Sequence, residues 1–195
     1  MTAWDQLYLE NQTPWDKGSP APPLVAWLSQ NSPPGRALVP GCGLGHDVAH
    51  LLSVGIDAYG LDLSPTAIER AKARYPAHHD RFWLGDLFAL PPHQAGPFDL
   101  LFEHTCLCAL PPELRPAYAD TAARLLRPGG RLIGIWFIDP DMSDGETGPP
   151  FGISLPELTA LFPADQWRIL EEATPTTAYA GREGREHLRI LEKLP

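Results

Sequence analysis

Short β-like runs alternate with helical segments, a glycine loop separates the first run from the next helix, and acidic residues close the second and third runs. Together these predict an α/β fold, a parallel sheet covered by helices on both faces. The chain has 195 residues, enough for one compact domain with a substantial core. Its composition is 44% hydrophobic and 20% charged, with 17 Gly and 23 Pro, which is globular rather than disordered.

The elements follow in chain order. Pro22–Gln30 is the first expected helix, opened by a proline pair where a missing N–H costs nothing. Arg36–Pro40 is the first strand, and Gly45–Ser53 is the helix beyond the glycine loop. Ala58–Asp62 forms the second strand, and Ser64-Pro65 then starts the helix Pro65–Arg74 with a capping hydroxyl and a proline in the first turn. Arg81–Leu84 and Phe98–Glu103 are strands, Pro112–Leu126 is a helix and the apolar Arg131–Phe137 is a strand. Ser154 caps a helix over Leu155–Phe162, and Trp167–Glu171 and His187–Glu192 complete the sheet. Proline pairs beginning at Pro22, Pro33, Pro91, Pro111 and Pro149 stiffen the connections. Asp139–Pro150 lacks hydrophobic periodicity and is rich in Asp, Gly and Pro, so it is the expected mobile loop and a candidate lid.

A formal charge of −9 argues against nucleic acid or a polybasic membrane contact, since both need a cationic face, and leaves a small molecule as the expected partner of a monomer. Met1 is followed by Thr2, Ala3, Trp4 and Asp5, without a basic and then apolar leader, so a cytoplasmic protein is expected. The longest apolar stretch, Leu132–Ile138, is too short to cross a bilayer. Cys42, Cys106 and Cys108 cannot build a disulfide framework, and their spacing does not make a zinc site. His78 and His79 are adjacent and share no helical face, so no metal is expected.

The chemistry concentrates behind the first strand. Gly41-Cys42-Gly43-Leu44-Gly45 lets the backbone approach a ligand closely, but His46 stands where a GxGxxG fingerprint requires glycine, which counts against a nicotinamide dinucleotide. Asp62 ends the next strand, placed to accept two hydrogen bonds from a ribose diol. After the third strand, Gly85-Asp86-Leu87 offers a carboxylate for an exocyclic amine and an amide for a ring nitrogen, which would read adenine. S-adenosylmethionine meets all three requirements. An ordinary tight turn with solvated acids explains any one of these features alone, but not the combination.

On these residues the chain resembles the class I S-adenosylmethionine-dependent methyltransferases, and more narrowly the halide and thiol methyltransferase branch of the thiopurine methyltransferase-like family. The resemblance rests on Thr13-Pro14-Trp15-Asp16-Lys17-Gly18, Leu38-Val39-Pro40-Gly41-Cys42-Gly43, Gly60-Leu61-Asp62-Leu63-Ser64, Cys108-Ala109-Leu110-Pro111-Pro112 and Gly148-Pro149-Pro150-Phe151. It implies a single Rossmann-like domain with a seven-stranded, mostly parallel sheet whose last strand is reversed. Residues 1–30 would form a cap over the cofactor and residues 31–195 the core. It also implies that Trp4, Tyr8 and Trp15 close over S-adenosylmethionine, that Gly41, Cys42 and Gly43 lie along its methionine end, that Asp62 and Leu63 serve the ribose, and that Asp86 and Leu87 serve the adenine. Aromatic faces attract a sulfonium by about 0.5–2 kcal/mol each when desolvated.

Two departures from the family pattern stand out. Val39 occupies a position that is often acidic, so Glu103 or a backbone carbonyl is expected to meet the methionine amine. Glu103-His104-Thr105-Cys106 stands where halide-methylating relatives often carry an acid, Tyr, Thr and an aromatic. His104 is the candidate general base, against the plainer reading of a locally bonded histidine that only touches cofactor. Thr105, Phe151, Tyr179 and Arg182 are candidates for the acceptor pocket, with Arg182 supplying charge for an anion. Cys106 and Cys108 are read as packing. The expected reaction is in-line methyl transfer to a thiol, hydrosulfide or halide. Methylation of an oxygen or nitrogen on a small metabolite, or a non-catalytic S-adenosylmethionine sensor, stands as the alternative.

Overall fold

The first strand, β1 (Arg36–Pro40), sends alternate residues to opposite faces of the sheet, with Ala37 and Val39 in one apolar cluster and Leu38 in the other. The structure, a computed structural model, describes residues 3–33, 35–140 and 148–195. Its elements are α1 (Ala3–Leu9), α2 (Pro22–Leu28), β1, α3 (His46–Ser53), β2 (Asp57–Asp62), α4 (Pro65–Arg74), β3 (Phe82–Leu84), β4 (Phe98–His104), α5 (Arg115–Leu125), β5 (Leu126–Phe137), α6 (Leu155–Leu161), β6 (Trp167–Ala173) and β7 (Glu186–Lys193). The same period-two division continues through Leu100, Leu101 and Phe102 in β4 and through Leu132 and Ile133 in β5. Both faces of the central strands are thus buried, as a doubly covered sheet requires.

The seven strands run in the order β3-β2-β1-β4-β5-β7-β6. The first five pair in parallel, whereas β7 is antiparallel to both β5 and β6, so the reversed last strand is inserted next to the edge. From β1 the chain winds outward to β3 and then returns to place β4 on the other side of β1. That reversal opens a crevice at the carboxyl ends of β1 and β4, where open α/β sheets bind ligands. One face packs α2 and α3 through Leu24, Trp27, Val48 and Leu51, and the other packs α5 and α6 through Tyr118, Leu125 and Leu158.

Ser64 and Ser154 act as the expected caps. The Ser64 hydroxyl accepts from the Ala67 amide at 3.0 Å, and Ser154 forms a reciprocal capping box with Glu157. The helix expected to start at Pro112 begins with a single turn over Pro112–Leu114 before α5. β5 starts at Leu126 rather than Arg131, because Leu126 already pairs with Phe98 ahead of an irregularity in the ladder. Helix α2, expected within the N-terminal cap, ends at Leu28 and buries Leu24 and Trp27 in the core, so the segment lying over the crevice ends near Ala21. The lid expected at Asp139–Pro150 falls largely on residues 141–147, outside the described residues.

Candidate functional site

The glycine loop owes its path to backbone conformations that side chains disfavour. Gly43 has φ +51° and a Cβ there would stand 2.8 Å from the Tyr8 hydroxyl, while Gly45 has φ +81° and a Cβ would meet the Phe82 ring at 2.4 Å. The loop therefore lies flat under the N-terminal segment and leads into α3. Beneath it, Asp62 accepts the Gly43 amide on Oδ2 and the Ser64 amide on Oδ1, each at 2.9 Å. Burial pushes the Asp62 carboxyl up, against the two amides that favour its charge. Its remaining acceptor capacity is turned to a cavity of about 510 Å³ that this residue lines.

The N-terminal segment roofs that cavity. Trp15 meets Trp4 edge-on at 5.3 Å and Tyr8 at 5.8 Å, and its indole N–H donates to the Tyr8 hydroxyl at 3.1 Å. Asp5 binds α1 to the start of α4 by accepting the Ser64 hydroxyl at 2.8 Å and the Thr66 amide at 3.0 Å. Three further links hold the segment that follows: Asp16 to His46 at 3.0 Å, the Ala21 amide to Asp47 at 2.7 Å, and the Tyr179 hydroxyl to the Ser19 carbonyl at 2.6 Å.

The far end of the cavity is charged. His104, at the end of β4, is buried and faces two carboxylates, with Nε2 3.3 Å from Glu186 Oε1 and Nδ1 3.9 Å from Asp47 Oδ2. Burial works against a charge on this ring, but the bonds and fields of Asp47 and Glu186 outweigh it and push the imidazole up to about 9. The two carboxylates thus favour the imidazolium form of His104. Arg182 donates to Glu186 Oε1 at 3.1 Å and lies 3.3 Å from His104 Nε2, so two donors share one acceptor oxygen. Its guanidinium stands over the Phe137 ring at 4.8 Å, with Tyr179 at 5.7 Å. Thr105, a β-branched residue, holds φ +65° where β4 enters the cavity, a conformation that costs energy and recurs at ligand sites.

Of the residues singled out from sequence, Trp4, Tyr8, Trp15, Gly41, Cys42, Gly43, Asp62, Leu63, Asp86, Leu87, His104, Thr105, Tyr179 and Arg182 all line this cavity. Glu103 and Phe151 do not. Glu103 is buried under β4, where Oε1 accepts the Cys106 and Leu107 amides at 3.0 Å each and Oε2 accepts the Tyr118 hydroxyl. With its acceptors engaged there, Glu103 shapes the turn after β4 and is not turned to a ligand amine. Phe151 is tied to the strand-end turn through its amide and the Cys108 carbonyl at 2.7 Å, and Pro149 and Pro150 take the cavity wall instead. His104, the candidate base, lies between Asp47 and Glu186, which favour its charged form. Asp86 is exposed and caps its own turn through the Phe88 amide at 2.9 Å.

Cys106 and Cys108 line the wall as thiols, because burial pushes Cys106 well up and Cys108 to about 12. Asp16, His46, Asp47 and Glu186 were not anticipated. His46 and Asp47 open α3 directly after the glycine loop, and an acid in the first turn of a helix was a usable signal. Nothing local marks Glu186, whose partner His104 is 82 positions away. Among the described residues no group of three or more His, Cys, Asp or Glu is arranged to hold a metal, and no helix is long and apolar enough to cross a membrane.

Proteins similar to this chain in sequence include named methyltransferases. The family model for thiopurine S-methyltransferase matches residues 1–190. A thiocyanate methyltransferase 1 of Brassica oleracea is 36% identical over 198 aligned positions, covering 98% of this chain and 84% of its own. A probable thiol methyltransferase 2 of Arabidopsis thaliana is 35% identical over 195, covering 97% and 84%. A solved structure concerned with conversion of a disulfide bond into a thioacetal group during echinomycin biosynthesis superposes with a TM-score of 0.71 at 26% identity, covering 93% of this chain and 84% of that one. A family match over nearly the whole chain, together with relatives above 30% identity along most of their own length, shows that the chain belongs to the thiopurine S-methyltransferase family and is an S-adenosylmethionine-dependent methyltransferase.

Proposed function

We propose that the enzyme methylates a small, soft, anionic nucleophile: a thiolate, hydrosulfide, thiocyanate or halide. The observation that carries this reading is the pairing of His104 and Arg182 on one cavity wall, both against the Glu186 carboxylate. A donor sulfonium supplies a methyl group and leaves uncharged, so its departure needs no acid, and an acceptor that is already an anion needs no base. What remains for the protein is alignment and exclusion of water, and orienting two reactants lowers a barrier by about 7–11 kcal/mol.

The residues divide between two ends of the cavity. Asp62 and Leu63 hold the ribose, Asp86 and Leu87 the adenine, and Gly41, Cys42 and Gly43 run along the methionine end. Trp4, Tyr8 and Trp15 roof the donor and keep water from it. Val39 leaves no carboxylate before the loop, so a backbone carbonyl of the glycine loop takes the amine. His104, Thr105, Tyr179 and Arg182 surround the acceptor, where the cations attract the anion. Methylation of a hydroxyl oxygen would call for a base, and the charged form of His104 that Asp47 and Glu186 favour does not serve as one. The chain works as a monomer in the cytoplasm on a small metabolite, and its −9 charge supports the absence of nucleic acid.

The test is headspace gas chromatography of purified protein with S-adenosylmethionine and, in separate vials, iodide, hydrosulfide or thiocyanate. Methylated product well above a protein-free control supports the reading and ranks the anions. Silence from every vial, with cofactor binding demonstrated in the same sample, overturns it in favour of a larger acceptor or a non-catalytic sensor.

A further inference from the structure

We propose that Glu186 is a positioning residue for methyl transfer: from behind the cavity wall its carboxylate gathers the His104 ring and the Arg182 guanidinium into a single cationic face turned toward the acceptor. This deepens the acceptor reading above and rests on it. The geometry is specific. His104 Nε2 and Arg182 Nη1 converge on one oxygen, Glu186 Oε1, at 3.3 and 3.1 Å, while His104 and Arg182 line the cavity and Glu186 does not. Glu186 is 3% exposed, and its other oxygen, Oε2, is buried with no hydrogen-bond partner among the described residues.

A buried carboxylate with an unpaired oxygen weakens a fold, and native proteins keep few of them. Such a departure from local satisfaction is expected at a functional site. Two cations held side by side would repel each other without the anion behind them, and among the described residues Glu186 is the ion-pair partner of Arg182, which has Phe137 below and Tyr179 beside it. Strand β7 is fixed in register opposite β5, with Glu186 paired to Phe137, so the carboxylate is held by the sheet rather than by a flexible loop.

The charged groups around His104 come from every neighbouring element. Asp47 reaches it from α3, Glu186 from β7, Arg182 and Tyr179 from the connection between β6 and β7, and Glu103 precedes it on β4. Asp47 also accepts the Ala21 amide, so it is shared with the roof segment. Glu186 is the carboxylate at the shorter distance from the ring, and it alone also binds Arg182. Its own carboxyl is held below the ordinary range by His104 and Arg182 in spite of burial. Removing its charge should therefore move the titration of His104, misplace Arg182 and weaken capture of the anion, while leaving the donor end untouched.

The experiment compares wild type with Glu186→Gln and Glu186→Asp, following the His104 imidazole by NMR across pH and measuring steady-state methylation of thiocyanate. In Glu186→Gln the His104 midpoint should drop from about 9 by at least one pH unit, and KM for thiocyanate should rise about tenfold. The kcat and the affinity for S-adenosylhomocysteine should each stay within about twofold. Glu186→Asp keeps the charge with a shorter reach, so the midpoint stays high while KM is intermediate, and this variant carries the test if Glu186→Gln does not fold. A folded variant with the His104 midpoint and KM both unmoved overturns the proposal. A wild type that methylates none of the small anions overturns the acceptor reading and the role in transfer with it, and the NMR arm separates that failure from a failure of Glu186 to hold the pair.

Discussion

The protonation state of His104 separates two mechanisms by sign. A general base must be neutral, yet an imidazole pushed up to about 9 is neutral in roughly one molecule in a hundred at pH 7. Base catalysis would make kcat/KM rise with pH up to about 9. A cation that holds the acceptor makes it flat and then falling above that value. A hydrogen bond between charged groups contributes about 1.5–3 kcal/mol, so loss of the imidazolium should lower kcat/KM by about 10- to 150-fold. Arg182, the second donor to Glu186 Oε1, sets the residual activity. Thiocyanate suits the assay because it stays an anion over the whole range, leaving the enzyme alone to titrate. Initial rates from pH 6 to 10.5, with His104→Gln in parallel, complete the test. The variant should show at pH 7 the low plateau that wild type reaches only in alkali, with little pH dependence of its own. A wild-type profile that climbs from pH 6 to 9 would refute the reasoning, as would a His104→Gln enzyme with wild-type kcat/KM at pH 7.

Three other outcomes follow. Asp62→Ala removes the remaining acceptor sites for a ribose diol and orphans the Gly43 and Ser64 amides, so Kd for S-adenosylhomocysteine should rise at least about 100-fold by calorimetry, from two charge-assisted bonds of about 1.5–3 kcal/mol each. Glu103→Ala strips the acceptor from two amides and the Tyr118 hydroxyl, and urea unfolding should show a loss of about 2 kcal/mol or more with cofactor affinity nearly unchanged in the folded fraction. Stability should also depend on His104. Its pKa is raised from an unfolded value of 6.5 to about 9, so its contribution, about 3 kcal/mol, is fully present below pH 6.5 and is lost as pH rises through about 9. Wild-type Tm should therefore fall across that window and the His104→Gln curve should be flatter.

Much of the fold was legible because parallel strands buried on both faces read as short apolar runs, and because Ser64 and Ser154 announce their helices chemically. One end of the cavity was legible for the same local reason: Gly41 to Gly45, Asp62 and Asp86 each sit at a strand end, where topology alone brings them together. The other end was legible only in part. His104 and Arg182 were identified, but the sign of the role of His104 depends on Asp47 and Glu186, which reach it from other elements across long stretches of chain. Glu103 misled for the complementary reason, since its hydroxyl partner Tyr118 lies on a helix whose packing no local pattern reveals. The early start of β5 at Leu126 rests on its pairing with Phe98, which is likewise a tertiary contact.

The insertion of β7 between β5 and β6 has a consequence for the order in which a working enzyme comes into being. Asp62 and the glycine loop lie in the first third of the chain, on strands that pair with one another within β1 to β4. Arg182 and Glu186 arrive near its close, and their partner His104 waits 78 and 82 positions upstream. Such distant contacts form late in folding, because loop closure must precede the bonds that reward it. The Asp62 end of the cavity thus draws on pairing between neighbouring strands, while the His104 end waits on the docking of one reversed strand from the last part of the chain.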